Sequence, residues 1–162
     1  IAPIDFITAV AEEDAASIAS LCEGSLETAR QLLNPELRKL KTSVATQLEQ
    51  MEGMKPLKVA ATVVSGIEEM SSSTAEQRQN AQWLLRFVAD AIQQRLRALA
   101  KGDLSDAMTQ RMGAKNGLDL LSPMLERTIA ASRQIDGSSP VKLVMEAFFD
   151  EVARMFRQAV KR

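Results

Sequence analysis

Histidine is missing from this sequence, and cysteine occurs only once, as Cys22. The chain therefore has no zinc site of the Cys/His kind, no His-based catalytic triad and no intrachain disulfide. The phosphate-loop motif G-x-x-x-x-G-K-[ST] and the dinucleotide motif G-x-G-x-x-G are absent as well. Because nucleotide chemistry depends on such loops, no nucleotide or other cofactor is expected to bind within these residues.

Long apolar runs are also absent, and the N-terminal residues lack the charged and apolar regions of a secretory signal. The sequence begins Ile1-Ala2-Pro3 rather than with Met. A lone thiol favours a reducing compartment. These features predict a cytoplasmic protein without membrane contact, of which the 162 residues form a C-terminal piece.

The composition favours helices: Ala, Leu, Gln, Glu, Met and Arg are common, and there are only seven Gly and no Tyr. With 46% hydrophobic and 25% charged residues, the chain fits one globular domain or a domain plus a fragment. A net charge of -1 provides no global positive field for nucleic acid. Residues 1–53 carry nine acids and four bases, and the remainder carries 16 bases and 12 acids, which hints at two parts.

Gly, Pro, Ser and Asn divide the first half of the chain into helices. A weak helix is expected over residues 3–21, with Asp14 capping its better half and Gly24 ending it. Ser25 caps a helix over residues 26–33, and Asn34-Pro35 begins another that runs to residue 51. The next helix starts near Pro56 and is apolar on nearly every side, so it is expected to sit centrally.

The second half contains the longest predicted helix, residues 75–100, which a capping box of Thr74 and Gln77 begins. A short helix over residues 105–112 and a loop framed by Gly113 and Gly117 follow. Ser122-Pro123 starts the next helix, and the last helix runs from Pro140 to about residue 160. This pattern, without a fixed repeat, predicts an all-α helical bundle.

Several constellations resemble functional sites but have simpler structural interpretations. Ser139 and Lys142 have the spacing of a serine nucleophile and its lysine base, yet Ser139 stands where a helix cap is expected. Consecutive acids at residues 12–14 and 68–69 diverge around a helix, so they suit solvated helix ends better than a metal. Trp83 and Phe87 lie one turn apart on an apolar stripe and are interpreted as core residues.

One resemblance rests on residues 15–32, AASIASLCEGSLETARQL, in which a helix ends at Gly-Ser and the next helix begins at once. This segment resembles the end of the helical lid of AAA+ ATPases of the clamp-loader group. Downstream come the segments QWLLRFVADA at 82–91, LSP at 121–123 and SSPVKL at 138–143. That order resembles the C-terminal collar domain of bacterial DNA polymerase III clamp-loader subunits, and most closely the delta-prime family.

The resemblance implies an AAA+ lid end at residues 1–34 and a collar domain at residues 35–162. In ATP-hydrolysing members, the third residue after the lid Gly is commonly the sensor-2 arginine, whereas here it is Glu27. A carboxylate would repel the nucleotide phosphates. The resemblance therefore implies a subunit that does not hydrolyse ATP and a fragment that is not an enzyme, with no catalytic residue, cofactor or metal.

The implied function is subunit assembly in DNA replication, in a hetero-pentamer with gamma/tau and delta subunits that loads the sliding clamp. Direct contact with nucleic acid is not expected. Polar faces of two helices are the candidate interface, with residues Arg86, Asp90, Arg97, Asp150, Arg154 and Arg157. Two alternatives stay open: the oligomerisation domain of another AAA+ replication or repair ATPase, and a helical adaptor that binds a partner helix.

Overall fold

The computed structural model describes residues 12–104 and 107–161, and within these ranges every regular element is a helix. The predicted all-α class is confirmed. The described residues form seven α-helices: α1 Glu12–Cys22, α2 Leu26–Leu32, α3 Pro35–Glu49, α4 Pro56–Met70, α5 Thr74–Ala100, α6 Ala107–Asp136 and α7 Val141–Val160. A 3-10 turn at Met51–Gly53 joins α3 and α4. The part of the first predicted helix before Glu12 lies outside the described residues.

Local sequence signals set the ends of the first helices. Gly24 has a φ of 83°, the left-handed conformation that ends a helix and that glycine adopts without strain. The Ser25 hydroxyl accepts a hydrogen bond from the Thr28 amide at 3.2 Å and so caps α2. Asn34 caps α3 in the same way, through the Glu36 amide at 3.0 Å. The predicted cap at Asp14 is wrong, because α1 already includes Glu12.

The cap of α5 lies one residue before the predicted one. The Ser73 hydroxyl accepts from the Glu76 amide at 3.2 Å, and the Glu76 carboxylate accepts from the backbone and hydroxyl of Ser72 at 2.7 and 2.8 Å. Because Glu76 can bind both donors of Ser72, this cap is favoured over one at Thr74. The pKa of Glu76 is held below its ordinary value by hydrogen bonds, first from the Ser72 backbone N–H and then from the Ser72 hydroxyl and the Ser73 backbone.

Helix α6 corrects the prediction of a short helix, a loop and a second helix. The backbone is helical from Ala107 to Asp136, through Gly113, Gly117 and Pro123. A proline inside a helix costs about 3 kcal/mol because it removes one hydrogen bond and crowds the preceding turn. Apolar side chains on both sides of Pro123 compensate, since Leu120, Leu121 and Met124 are almost completely buried.

The core lies where α5, α6 and α7 pack in succession and α4 packs along α7. Its largest fully buried side chains come mainly from the last two helices and include Leu120, Leu121, Met124, Ile135, Met145, Phe148 and Phe149. Helix α4 buries Val63 and Ile67 but leaves Leu57 64% exposed. The prediction that α4 is surrounded is therefore wrong: it has an open side, which also carries the exposed polar residues Lys58, Thr62, Ser65 and Glu69.

Helices α1 and α2 share this core with the rest of the chain. Leu21 and Leu32 belong to the same cluster of buried side chains as α5 and α7. Gln79 of α5 also donates a hydrogen bond to Gln31 of α2 at 3.0 Å. The predicted boundary between residues 34 and 35 stays a prediction.

Candidate protein-interaction surface

A groove runs between α5 and α6 on the surface of the bundle. The two helices are antiparallel, since Arg78 near the start of α5 donates to the carbonyl of Ile135 at 2.8 Å, near the end of α6. The groove has a volume of about 480 Å³ and is lined by Gln79, Gln82, Trp83, Leu85, Arg86 and Ala89 of α5 and by Thr128, Ile129, Ser132, Arg133 and Asp136 of α6. We call it the α5–α6 groove.

Gln82 holds the two walls of the α5–α6 groove together. Its Nε2 donates to the Ser132 carbonyl at 2.9 Å and to Asp136 Oδ1 at 2.7 Å, and the Ser132 hydroxyl donates to its Oε1. Three hydrogen bonds on one amide leave little freedom for that side chain. The spacing of α5 and α6 is therefore set by polar contacts as well as by the core.

Trp83 and Arg86 form the α5 wall. The Arg86 guanidinium lies 5.2 Å from the centre of the Trp83 ring, and its Nη2 forms an ion pair with Glu23 Oε1 at 2.9 Å. Glu23 is in the turn between α1 and α2, so this pair joins the N-terminal helices to the groove. The core interpretation is right for Phe87, which is buried, but Trp83 is only partly buried and lines the groove.

Of the residues that line the groove, the sequence analysis named only Arg86 as a surface candidate, and it missed the α6 wall. Ile129, Ser132 and Asp136 join the groove only because α5 and α6 pair, and Gln82 and Ser132 are 50 positions apart. No local signal marked Ile129, because its 40% exposure is known only from the structure. Periodicity alone does not show which helix covers which.

The six candidate interface residues lie on α5 and α7, which both pack along α6. Arg86 borders the groove, Asp90 accepts a hydrogen bond from Gln94 at 2.9 Å, and Arg97 is exposed. On α7, Asp150 and Arg154 form an ion pair at 2.5 Å.

Arg157 is exposed at the C-terminal end of α7. Among the described residues, no hydrogen bond or ion pair connects the three candidate residues on α5 with the three on α7. The structure thus presents two separate polar faces, and their role as an interface stays a prediction.

The other sequence candidates are placed individually. Glu27 is exposed in the first turn of α2. Cys22 is half-buried, and its thiol donates to the Ala19 carbonyl at 3.5 Å. The predicted cap of α7 at Ser139 is wrong, because the cap position is Pro140 and no side chain caps the helix. Ser139 instead donates its backbone N–H to the Gln134 carbonyl at 3.0 Å in the turn that ends α6. Lys142 is exposed.

A second groove of about 770 Å³ lies on the surface along the contact between α3 and α4. Its charged lining residues are of both signs: Glu36, Lys39, Lys58 and Glu69. The remaining lining residues are mostly small, and a Cβ atom on Gly66 would come within 2.5 Å of Leu40 Cδ2, so the two helices are very close there. In the parts of the chain that the structure describes, no group of three or more Cys, Asp or Glu side chains is arranged to hold a metal ion.

One buried charge lies outside both grooves. Arg127 of α6 is 9% exposed, and its Nε is 2.6 Å from Glu151 Oε2 of α7. The contact is close enough for an ion pair but does not have hydrogen-bond geometry, and the buried Nη1 has no acceptor among the described residues. The α6–α7 interface therefore contains an imperfectly compensated charge.

The chain matches no protein-family model, no curated protein and no solved structure. None of the helices in the described ranges has the length and apolar character needed to cross a membrane. Evidence about function therefore comes from the sequence resemblance and from the surfaces described above.

Proposed function

We propose that this chain is a subunit-assembly domain of a bacterial DNA polymerase III clamp loader and is most similar to the delta-prime family. In this proposal residues 1–34 end an AAA+ lid and residues 35–162 form the collar domain. The domain holds its subunit in a ring with gamma/tau and delta subunits, which supports loading of the sliding clamp in DNA replication. A cytoplasmic location is part of the proposal.

The observation that carries the proposal is the turn from α1 to α2. The resemblance rests on a helix that ends at Gly24 and another that begins directly at Ser25, and these residues have the left-handed φ and the capping hydrogen bond that such a turn requires. The start of α7 after Ser138-Ser139-Pro140 also agrees with the resemblance. The segment 121–123 does not support it as a helix start, because it lies inside α6.

In this proposal the domain performs no reaction itself. Glu27 occupies the sensor-2-like position as an exposed carboxylate, with Arg30 one turn further along α2. A negative side chain there opposes the binding of nucleotide phosphates. The proposal therefore assigns the domain no ATP hydrolysis, no cofactor and no direct contact with nucleic acid, and its partners are other protein subunits.

The solution mass of this chain tests the proposal, measured by light scattering after size exclusion, alone and after mixing with gamma/tau and delta subunits of the same organism. We expect a shift of the chain into a mixed complex. A defined homo-tetramer that ignores these subunits would overturn the proposal in favour of another AAA+ replication or repair ATPase. A monomer that ignores them would also overturn it and would favour the helical adaptor.

The adaptor alternative is favoured by one specific observation, the α5–α6 groove. An adaptor binds an amphipathic helix in an apolar groove with polar edges, and Trp83 and Ile129 are exposed to such a ligand. Affinity for primer-template DNA distinguishes both protein-binding roles from a DNA-binding one. Binding that weakens steeply with added salt would contradict the two of them.

A further inference from the structure

We infer that helices α1 and α2 open from the bundle together, as a hairpin that the exposed ion pair of Glu23 and Arg86 fastens to α5. We call residues 12–32 the α1–α2 hairpin. The inference concerns a conformational change of the chain itself and does not depend on the proposed assembly role. Opening exposes the two leucines that the hairpin buries and releases the Arg86 guanidinium.

The α1–α2 hairpin contributes few side chains to the shared core. Leu21 and Leu32 belong to the cluster of buried side chains, and Ile18 and Cys22 pack against it only partly buried. Helix α1 packs mainly against α2, whereas α7 packs along both α4 and α6. Segments with few buried apolar contacts open at a lower free energy than the core does. We therefore expect the hairpin to open before the rest of the bundle.

The connection between α2 and α3 permits this opening. Leu33 and Asn34 separate the two helices, and α3 begins at Pro35. Because proline has no backbone N–H, no helical hydrogen bond leads from the first residue of α3 back into α2. A change in the backbone dihedral angles of residues 33–34 can therefore move the hairpin while α3 stays in place.

Two side-chain contacts fasten the α1–α2 hairpin to α5, and both are exposed. Gln79 donates a hydrogen bond to Gln31 at 3.0 Å, and Arg86 Nη2 lies 2.9 Å from Glu23 Oε1. The Arg86 and Glu23 side chains are 42% and 78% exposed. An exposed ion pair adds little stability and is screened by salt, so a modest change in conditions is enough to release it.

The turn between α6 and α7 is held by α5 through neutral acceptors and provides a comparison within the molecule. Glu23 and Ser138 have positive φ angles of 48° and 70°, which are unfavourable for a residue with a side chain. An arginine of α5 contacts each of these turns. Arg78 donates to the carbonyls of Ile135 and Ser138 at 2.8 and 2.9 Å. Because carbonyl groups carry no net charge, salt should weaken these contacts less than the ion pair of Arg86.

Native-state hydrogen exchange of the whole chain, followed by mass spectrometry of its peptides, tests the inference. Exchange rates are compared for residues 15–32, 133–140 and 144–156, each relative to the same peptide of the unfolded chain. We expect residues 15–32 to exchange about tenfold faster than residues 144–156 of α7, or more. Equal rates would mean that both segments open only by global unfolding, and this result would overturn the inference.

Glu23→Gln tests the contact that fastens the hairpin, because it keeps the size of the side chain and removes its charge. Asp150→Asn is the matched control, since it makes the same change to an exposed carboxylate that pairs with Arg154 within α7. We expect Glu23→Gln to accelerate exchange of residues 15–32 about twofold to fivefold and to leave residues 133–140 and 144–156 unchanged. The control should leave residues 15–32 unchanged.

Added salt provides the second test of the same contact. About 0.5 M NaCl should accelerate exchange of residues 15–32 in the wild type and have little further effect in the Glu23→Gln variant. Equal acceleration of all three segments by Glu23→Gln would mean that the variant lowers global stability. An unchanged rate for residues 15–32 would mean that the ion pair does not fasten the hairpin. Either result would overturn the inference.

Discussion

Removal of the carboxylate of Glu151 tests how the α6–α7 interface tolerates a buried charge. Arg127 is 9% exposed, and its only ionic partner within the described ranges is Glu151, at 2.6 Å. Loss of one partner from a buried ion pair costs about 3–5 kcal/mol. Because the Glu151 side chain is 42% exposed, water can replace part of the lost contact, and we expect Glu151→Ala to cost about 2 kcal/mol.

Substitution of the other partner of the ion pair, Arg127→Met, has a different expected effect on stability. It replaces the arginine with a shorter, unbranched apolar side chain and removes the buried Nη1 that lacks an acceptor. An unsatisfied buried donor costs about 1–3 kcal/mol, so we expect Arg127→Met to leave stability unchanged or to raise it by about 1 kcal/mol. In the Arg127→Met background, Glu151→Ala then costs only a few tenths of a kcal/mol, because no buried charge remains to be orphaned.

The assay is urea unfolding followed by circular dichroism, with the free energy of unfolding compared at equal m-values. Asp150→Ala is the matched control, since Asp150 is the neighbouring acid of α7 and its partner Arg154 is exposed. We expect that control to change stability by less than about 0.5 kcal/mol. The reasoning is refuted if Glu151→Ala is as mild as the control, or if Arg127→Met destabilises the protein by about 2 kcal/mol or more.

Three further substitutions test the helix ends and the closest helix contact. Arg78→Ala removes hydrogen bonds to the carbonyls of Ile135 and Ser138; we expect a loss of about 1–2 kcal/mol in urea unfolding, and an unchanged midpoint would contradict it. Glu76→Gln tests pH dependence, because the folded-state pKa of Glu76 lies below its ordinary value of 4.5. The contribution of this carboxylate to the free energy of unfolding is therefore fully present above its ordinary pKa and is lost as the pH falls through the folded-state pKa. The Tm deficit of this variant should therefore be largest at neutral pH and shrink in acid, and a constant deficit would refute the cause. Gly66→Ala should destabilise by about 1 kcal/mol despite the higher helix propensity of Ala, because its Cβ would meet Leu40 at 2.5 Å; relief by Leu40→Val in a double-mutant cycle checks that contact.

Sequence reasoning succeeded where a few adjacent residues decide the outcome. Gly24, Ser25 and Asn34 mark helix ends that the backbone and its hydrogen bonds confirm. It failed by one residue at the start of α5, where Ser73 and Thr74 are both good caps and the choice depends on how Glu76 meets Ser72. A local pattern predicts that a cap exists more firmly than it selects between neighbouring residues with the same chemistry.

Helix α6 shows where local signals are insufficient. Gly113, Gly117 and Pro123 each disfavour a helix, and together they predict a break. The helix is continuous because Leu120, Leu121 and Met124 become buried against neighbouring helices, and that burial depends on residues far away in the chain. Tertiary packing thus outweighs three unfavourable local preferences.

The sequence by itself determined that the chain is all-helical and excluded His-dependent chemistry. It also placed Arg86 on the polar face of α5 but assigned Trp83 to the core, because a period of 3.6 residues places side chains on a face. Only the tertiary structure decided that Ile129 and Arg133 of α6 face them across a groove and that Arg127 is buried beside Glu151. The physical reason is that pairing between helices is set by the shape and burial of whole surfaces, which a local pattern does not encode.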